Sequence, residues 1–126
     1  MTGLQAQRRH KHERKLNIPA QTNGHSTYIA VDFDGTLCES DWPHIGMAKR
    51  DMIDALLDLQ KRGAVIILWT CREGNELDQA VKWLARQGLK PDYINENAKE
   101  IKQRWGYDSR KVGADYYIDD RGRWLE

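Results

Sequence analysis

YIAVDFDGTL, running from Tyr28 to Leu37, decides the fold. Its first six residues are apolar, β-branched or aromatic apart from Asp32, the pattern of a strand buried in a sheet, and Asp34-Gly35-Thr36 then breaks the run in a tight turn. Asp32 and Asp34 are two apart, so the alternation of a strand turns both side chains toward one side at its end.

The chain downstream repeats this scheme. In AKRDMIDALLDLQKRG, Met52, Ile53, Leu56, Leu57 and Gln60 recur at spacings of three and four, and Gly63 stands where a helix C-terminal glycine belongs, which predicts an amphipathic helix. AVIILW (64–69) is too short and too uniformly apolar for a surface helix and reads as a parallel strand covered on both faces. A second helix is predicted over about 75–87, with Leu77, Ala80, Val81, Leu84 and Ala85 on its inner face and Gly88 closing it. Residues 92–95 form a weaker strand, 97–105 a third helix around Ala98, Ile101 and Trp105, and ADYYID (114–119) the last strand, with Ser109 capping a short turn before it. Strand and helix alternate throughout, which implies an α/β fold: a Rossmann-like parallel sheet of about four strands in three layers, joined by right-handed crossovers.

A length of 126 residues suits one domain, placed at 26–126. Residues 1–25 hold Arg8, Arg9, Lys11, Arg14 and Lys15 against Glu13, a net +4, while the rest of the chain is at −3. With no sustained periodicity, and with Pro19, Asn23 and Gly24 near its end, this segment reads as a disordered basic tail, whose QRRHKHERK run is more often just a solvated segment than an electrostatic foothold on nucleic acid. His10 and His12 lack a third ligand type nearby and do not make a metal site. No apolar run reaches the roughly 18 residues of a membrane span, and no apolar stretch followed by a small-residue cleavage site marks a secretory signal. Two cysteines without a CxxC spacing, Cys38 and Cys71, then imply reduced thiols in a cytoplasmic protein. Each follows a loop at a strand end, so the fold could bring the two together.

In open α/β sheets ligands bind at the carboxyl ends of the strands, and the unusual polar residues of this chain fall there. The first strand ends in Asp32-Phe33-Asp34-Gly35-Thr36, the second in Thr70-Cys71-Arg72-Glu73-Gly74 and the fourth in Asp119-Asp120-Arg121, with Lys111 just before it. Four carboxylates at one sheet end repel one another unless a cation joins them, and a hard divalent ion with oxygen ligands, magnesium above all, suits Asp32, Asp34, Asp119 and Asp120. A phosphate could be held by that metal, by Thr70 and Lys111, and by backbone amides at Gly35, Thr36 and Cys71. With two acids side by side, one carboxylate can attack phosphorus while the other protonates the leaving oxygen and then activates water.

VDFDGTL resembles the first signature of the haloacid dehalogenase (HAD) superfamily, ILWT the second, Lys111 the third and YYIDDR the fourth, in order across about residues 28–121. The resemblance implies a magnesium-dependent phosphohydrolase. Asp32 would be nucleophile and metal ligand, and Asp34 the acid/base with its backbone carbonyl on the metal. Thr70 would hold the phosphoryl group, Lys111 would neutralise nucleophile and phosphate, and Asp119 and Asp120 would complete the metal site. Lys99, Lys102 and Arg110 are the alternative third-motif cations. In the P-type ATPase branch of the superfamily a Thr stands where this chain has Asp34, so Asp34 argues for rapid hydrolysis of the phospho-enzyme.

Rival readings are weaker. An Asp pair before a glycine is in isolation a turn device, but three further motif positions match. The EF-hand fails because its glycine belongs at loop position six and Gly35 is at position four. A response-regulator receiver would need a phospho-acceptor Asp near mid-chain, and the second and third strands do not end in one. A non-catalytic module with a vestigial site is opposed by the complete motif set. Arg72, Glu73 and Arg121 read as surface ion pairs or a helix-terminal acid rather than as substrate contacts. Trp42, Pro43 and His44 lie in a short segment that either flaps over the site or packs as an ordinary loop.

The HAD resemblance implies a further strand and helix after the acidic pair, so either the chain reads as a minimal or truncated version or Asp119 and Asp120 lie near an unsupported C-terminus, and self-association could then cover the sheet edge. The gaps after Leu37 and after Ile94, about ten and twenty residues, are too short for a cap domain, since domains begin at roughly 50 residues. An open, capless site is expected, for the phosphate at a nucleic-acid end, a phosphoprotein or a small phosphorylated molecule, or one closed by a neighbouring subunit.

Overall fold

The computed structural model describes residues 16–107 and 112–120. In chain order the elements are β1 (Gln21–Thr22), β2 (His25–Ser26), β3 (Tyr28–Val31), β4 (Cys38–Asp41), β5 (His44–Ala48), α1 (Arg50–Lys61), β6 (Val65–Leu68), α2 (Gly74–Arg86), β7 (Tyr93–Ile94), α3 (Lys99–Trp105) and β8 (Tyr116–Ile118). β7, β6, β3 and β8 form, in that order, a four-stranded parallel sheet. The strand that carries the Asp pair is therefore central, with β6 on one side and β8 on the other, so all three strand ends that bear polar motifs are neighbours.

Alternation along β3 sorts the core. Ile29, Val31, Ile66 and Leu68 pack in one cluster with Ile53, Leu56 and Leu59 of α1 and Ala80 and Leu84 of α2. Ala30, Ile67 and Val112 form a second cluster, joined by Tyr28, Trp69 and Tyr117. The helices lie within two residues of their predicted bounds, and Gly63 and Gly88 both take the positive φ expected just past a helix end. The inner faces are slightly rotated from the prediction: Leu59 is buried where Gln60 was expected, and Ala85 is exposed.

Two parts depart from the sequence reading. The tail was expected to run to residue 25, but Leu16, Ile18 and Ala20 are buried in the larger core cluster, and β1 and β2 form a hairpin turning at Asn23-Gly24, both with positive φ. The reason is a short period-two pattern, Leu16, Ile18 and Ala20, that gives the core one face of an extended segment. The basic residues of the tail lie outside the described residues. The second departure is at 38–48, read as a loop, where β4 and β5 pair antiparallel with a bulge between Cys38 and Ser40. Gly46 makes this hairpin possible: a Cβ there would sit 2.2 Å from the Glu39 carbonyl oxygen.

Cys38 is buried and Cys71 exposed, and both are free thiols. Among the described residues no helix is long and apolar enough to cross a membrane.

Candidate active site

Asp32 follows β3 directly, and its N–H donates to the Ile118 carbonyl at 2.9 Å, which ties the first motif to the strand that delivers Asp119 and Asp120. The turn after it is tight. Thr36 and Leu37 N–H both donate to the Phe33 carbonyl, and Gly35 N–H donates to the Cys38 carbonyl at 2.9 Å. Gly35 has φ +82°, and a Cβ on it would lie 2.8 Å from Cβ of Asp120, so only glycine lets the fourth motif close on the first.

This clustering is visible in the Asp32 carboxyl group. Burial pushes its pKa up, the Phe33 N–H donated to its Oδ1 at 2.7 Å opposes that, and the carboxylates of Asp120, Asp34 and Asp119 push it further up. Asp32 thus feels the charge of the other three acids. A cavity of about 360 Å³ opens beside them, lined by Asp32, Thr70, Cys71, Asn95, Tyr117 and Asp119 among others. A roomier cavity of about 650 Å³, around Tyr28, Trp105 and Gly113, holds none of the motif residues and is discounted as the site of chemistry.

Thr70 lies just beyond β6 and is fixed from two directions. Its N–H donates to Asn95 Oδ1 at 2.8 Å, and its hydroxyl oxygen accepts Arg72 N–H at 3.1 Å, which leaves its O–H to donate elsewhere. Asn95, held at φ +52°, was missed in the sequence, although Asn is the residue type that best tolerates this conformation. Thr36 differs from expectation: it is buried, its hydroxyl has no partner, and its N–H, like that of Gly35, is spent on the turn, so neither amide is left for a phosphate.

Arg72 departs furthest from its sequence reading. It was taken as a surface ion pair, yet its side chain is 1% exposed and grips Asp34 by a fork, Nε to Oδ2 and Nη2 to Oδ1, both at 2.8 Å. Of the alternative third-motif cations, Lys102 pairs with Glu96 at 2.9 Å and Lys99 is exposed on α3. Lys111, Arg110, Ser109 and Arg121 lie outside the described residues.

The donor set is all carboxylate oxygen, which suits a hard cation. Among the described residues, however, no three His, Cys, Asp or Glu side chains are drawn together closely enough to hold an ion alone. An ion such as magnesium fits this arrangement when water, backbone and phosphate oxygens complete its shell, the coordination magnesium prefers.

A solved structure of a conserved protein from Bacteroides thetaiotaomicron is similar to this chain, with 39% identity and a TM-score of 0.69 over 79% of this chain and 80% of that one. No family model and no curated protein matches the chain.

Proposed function

The chain belongs to one family with the conserved Bacteroides thetaiotaomicron protein, and we propose that it is a HAD-type, magnesium-dependent phosphohydrolase acting on a phosphomonoester through an aspartyl-phosphate. One observation carries this reading: Asp32, at the end of the central strand, lines with Asp119 and Thr70 a cavity at the sheet's end, and the carboxylates of Asp120, Asp34 and Asp119 act on it through space. The sheet order, with the nucleophile strand between those bearing Thr70 and the acidic pair, supports the three-layer doubly wound arrangement of that superfamily.

In the first step an Asp32 carboxylate oxygen attacks phosphorus, the ester P–O bond breaks, and the leaving oxygen takes a proton from Asp34. Thr70, with its O–H free to donate, steadies the phosphoryl oxygens. In the second step water attacks phosphorus, Asp34 accepts its proton, and the bond to Asp32 breaks to release phosphate. Each Asp34 carboxylate oxygen keeps a second lone pair beyond the one Arg72 uses, and that is where the proton would be exchanged. Asp32, Asp119, Asp120 and the Asp34 carbonyl are the groups that would hold magnesium, which when bound neutralises charge on the transferring phosphoryl group. Lys111 is the proposed cation of the third motif.

The test is phosphate release from p-nitrophenyl phosphate with magnesium and with EDTA, extended to nucleotides, phosphorylated oligonucleotides, sugar phosphates and phosphopeptides. Release that EDTA abolishes is expected, and equal release in both would overturn the metal requirement. The substrate preference proposed is a nucleotide or polynucleotide phosphate, since the basic residues within 8–15 would make salt-sensitive contacts to a phosphate backbone. Preference for sugar phosphates, unaffected by removing residues 1–15, would overturn that part alone.

A further inference from the structure

All five N–H donors of the Arg72 guanidinium are used. Two form the fork on Asp34, Nη2 also donates to the His44 carbonyl at 2.8 Å, and Nη1 donates to the carbonyls of Pro43 at 3.2 Å and Glu76 at 3.4 Å. The flat faces are occupied as well: the guanidinium carbon lies 5.0 Å from the ring centre of Phe33 and 5.0 Å from that of Trp42. Phe33 lies between the two acids in sequence, whereas Trp42, Pro43 and His44 are the tip of the β4–β5 hairpin. One buried cation therefore joins the carboxylate of the acid/base residue to the tip of a hairpin whose outer residues are otherwise exposed.

Stability alone is a weak reason for such an arrangement. A buried ion pair recovers its desolvation cost only with complete hydrogen bonding, and an apolar side chain of similar volume would fill the same space at less expense. Lysine could supply the charge but not the planar five-donor fork. Since a hydrogen-bonded network either keeps all its members satisfied or loses several together, displacement of the hairpin tip removes partners from Arg72, and disturbance of Asp34 does the same from the other side.

Resting on the proposed acid/base role of Asp34, we infer that Arg72 is a positioning residue that couples the hairpin tip to Asp34. Asp34 is aligned for proton transfer only while Arg72 holds the hairpin tip in place. Arg72 touches no reacting atom; it acts through Asp34 and through the tip.

The experiment combines steady-state kinetics on p-nitrophenyl phosphate with amide hydrogen exchange of the full chain. Arg72→Lys is expected to lower kcat on the order of tenfold to a hundredfold, with KM little changed, as a small misplacement of a reacting group does. Exchange should quicken at residues 42–48 while β3 and β6 keep their protection. Trp42→Ala, at a largely exposed position, should quicken exchange at the same residues and lower kcat less. The discriminating arm is reciprocal, since coupling between two sites acts in both directions. Asp34→Asn places an amide N–H against the Arg72 donors, and it should loosen the tip at 42–45 although these residues make no hydrogen bond to Asp34. Unchanged exchange at the tip in both Arg72→Lys and Asp34→Asn would overturn the coupling, as would loss of protection in Arg72→Lys spread equally over β3 and β6. If the wild-type protein released no phosphate, the phosphohydrolase reading would fall while the exchange arm still decided the coupling.

Discussion

Asp32 is held in the folded protein against its own charge, because burial and three neighbouring carboxylates all favour the neutral form. A carboxyl whose pKa is raised on folding contributes no penalty below its ordinary value of 3.8 and an increasing one as pH rises through the raised value. Metal-free Asp32→Asn is therefore expected to melt above the wild type at neutral pH. The gap should close on acidification below the ordinary carboxylate range. Equal melting temperatures at neutral pH would show that Asp32 is not under this strain. The cysteines give a second residue-scale outcome. Burial raises the Cys38 thiol and removes it from reagents, whereas Cys71 is exposed on the wall of the cavity that holds Asp32 and Thr70. Iodoacetamide should label Cys71 alone and block turnover, and labelled enzyme at full activity would place the substrate elsewhere. The roles of Asp32, Asp34 and Thr70 are proposed from a strand-end pattern visible in sequence. The burial of Arg72 was not visible, because an arginine after a strand reads as solvated unless the rings of Phe33 and Trp42 are known to enclose it.

At the scale of elements, apolar periodicity located every strand of the parallel sheet and all three described helices, since each buries a face and so carries a pattern. The two hairpins carried less of one. CESD in β4 has three exposed residues of four, and a two-stranded ribbon open to water imposes no alternation on its sequence. What specifies β4–β5 is instead local geometry, above all the space at Gly46. Gly46→Ala would drive a methyl group into the Glu39 carbonyl, so the strands must separate. Because the tip of this hairpin holds Arg72 and through it Asp34, the expected result is a loss of kcat on the order of tenfold or more with the core still folded. Near-UV circular dichroism and turnover measured together decide this. Retained turnover in Gly46→Ala would mean that the hairpin does not serve the site.

For the molecule as a whole, the decisive arrangement is the placing of β3 between β6 and β8, which gathers three polar strand ends around one cavity. That gathering followed from the alternation of strands and helices, whereas the packing of Leu16, Ile18 and Ala20 into the core did not, because three apolar residues at period two are too few to stand out beside a basic run. The central claim is that phosphate passes through Asp32. It is tested most directly by quenching the working enzyme in acid, reducing any acyl phosphate with borohydride and mapping the peptides by mass spectrometry. The account predicts homoserine at position 32 when substrate and magnesium are present, and none with EDTA or in Asp32→Asn. Rapid phosphate release that leaves Asp32 unmodified and persists in Asp32→Asn would contradict it.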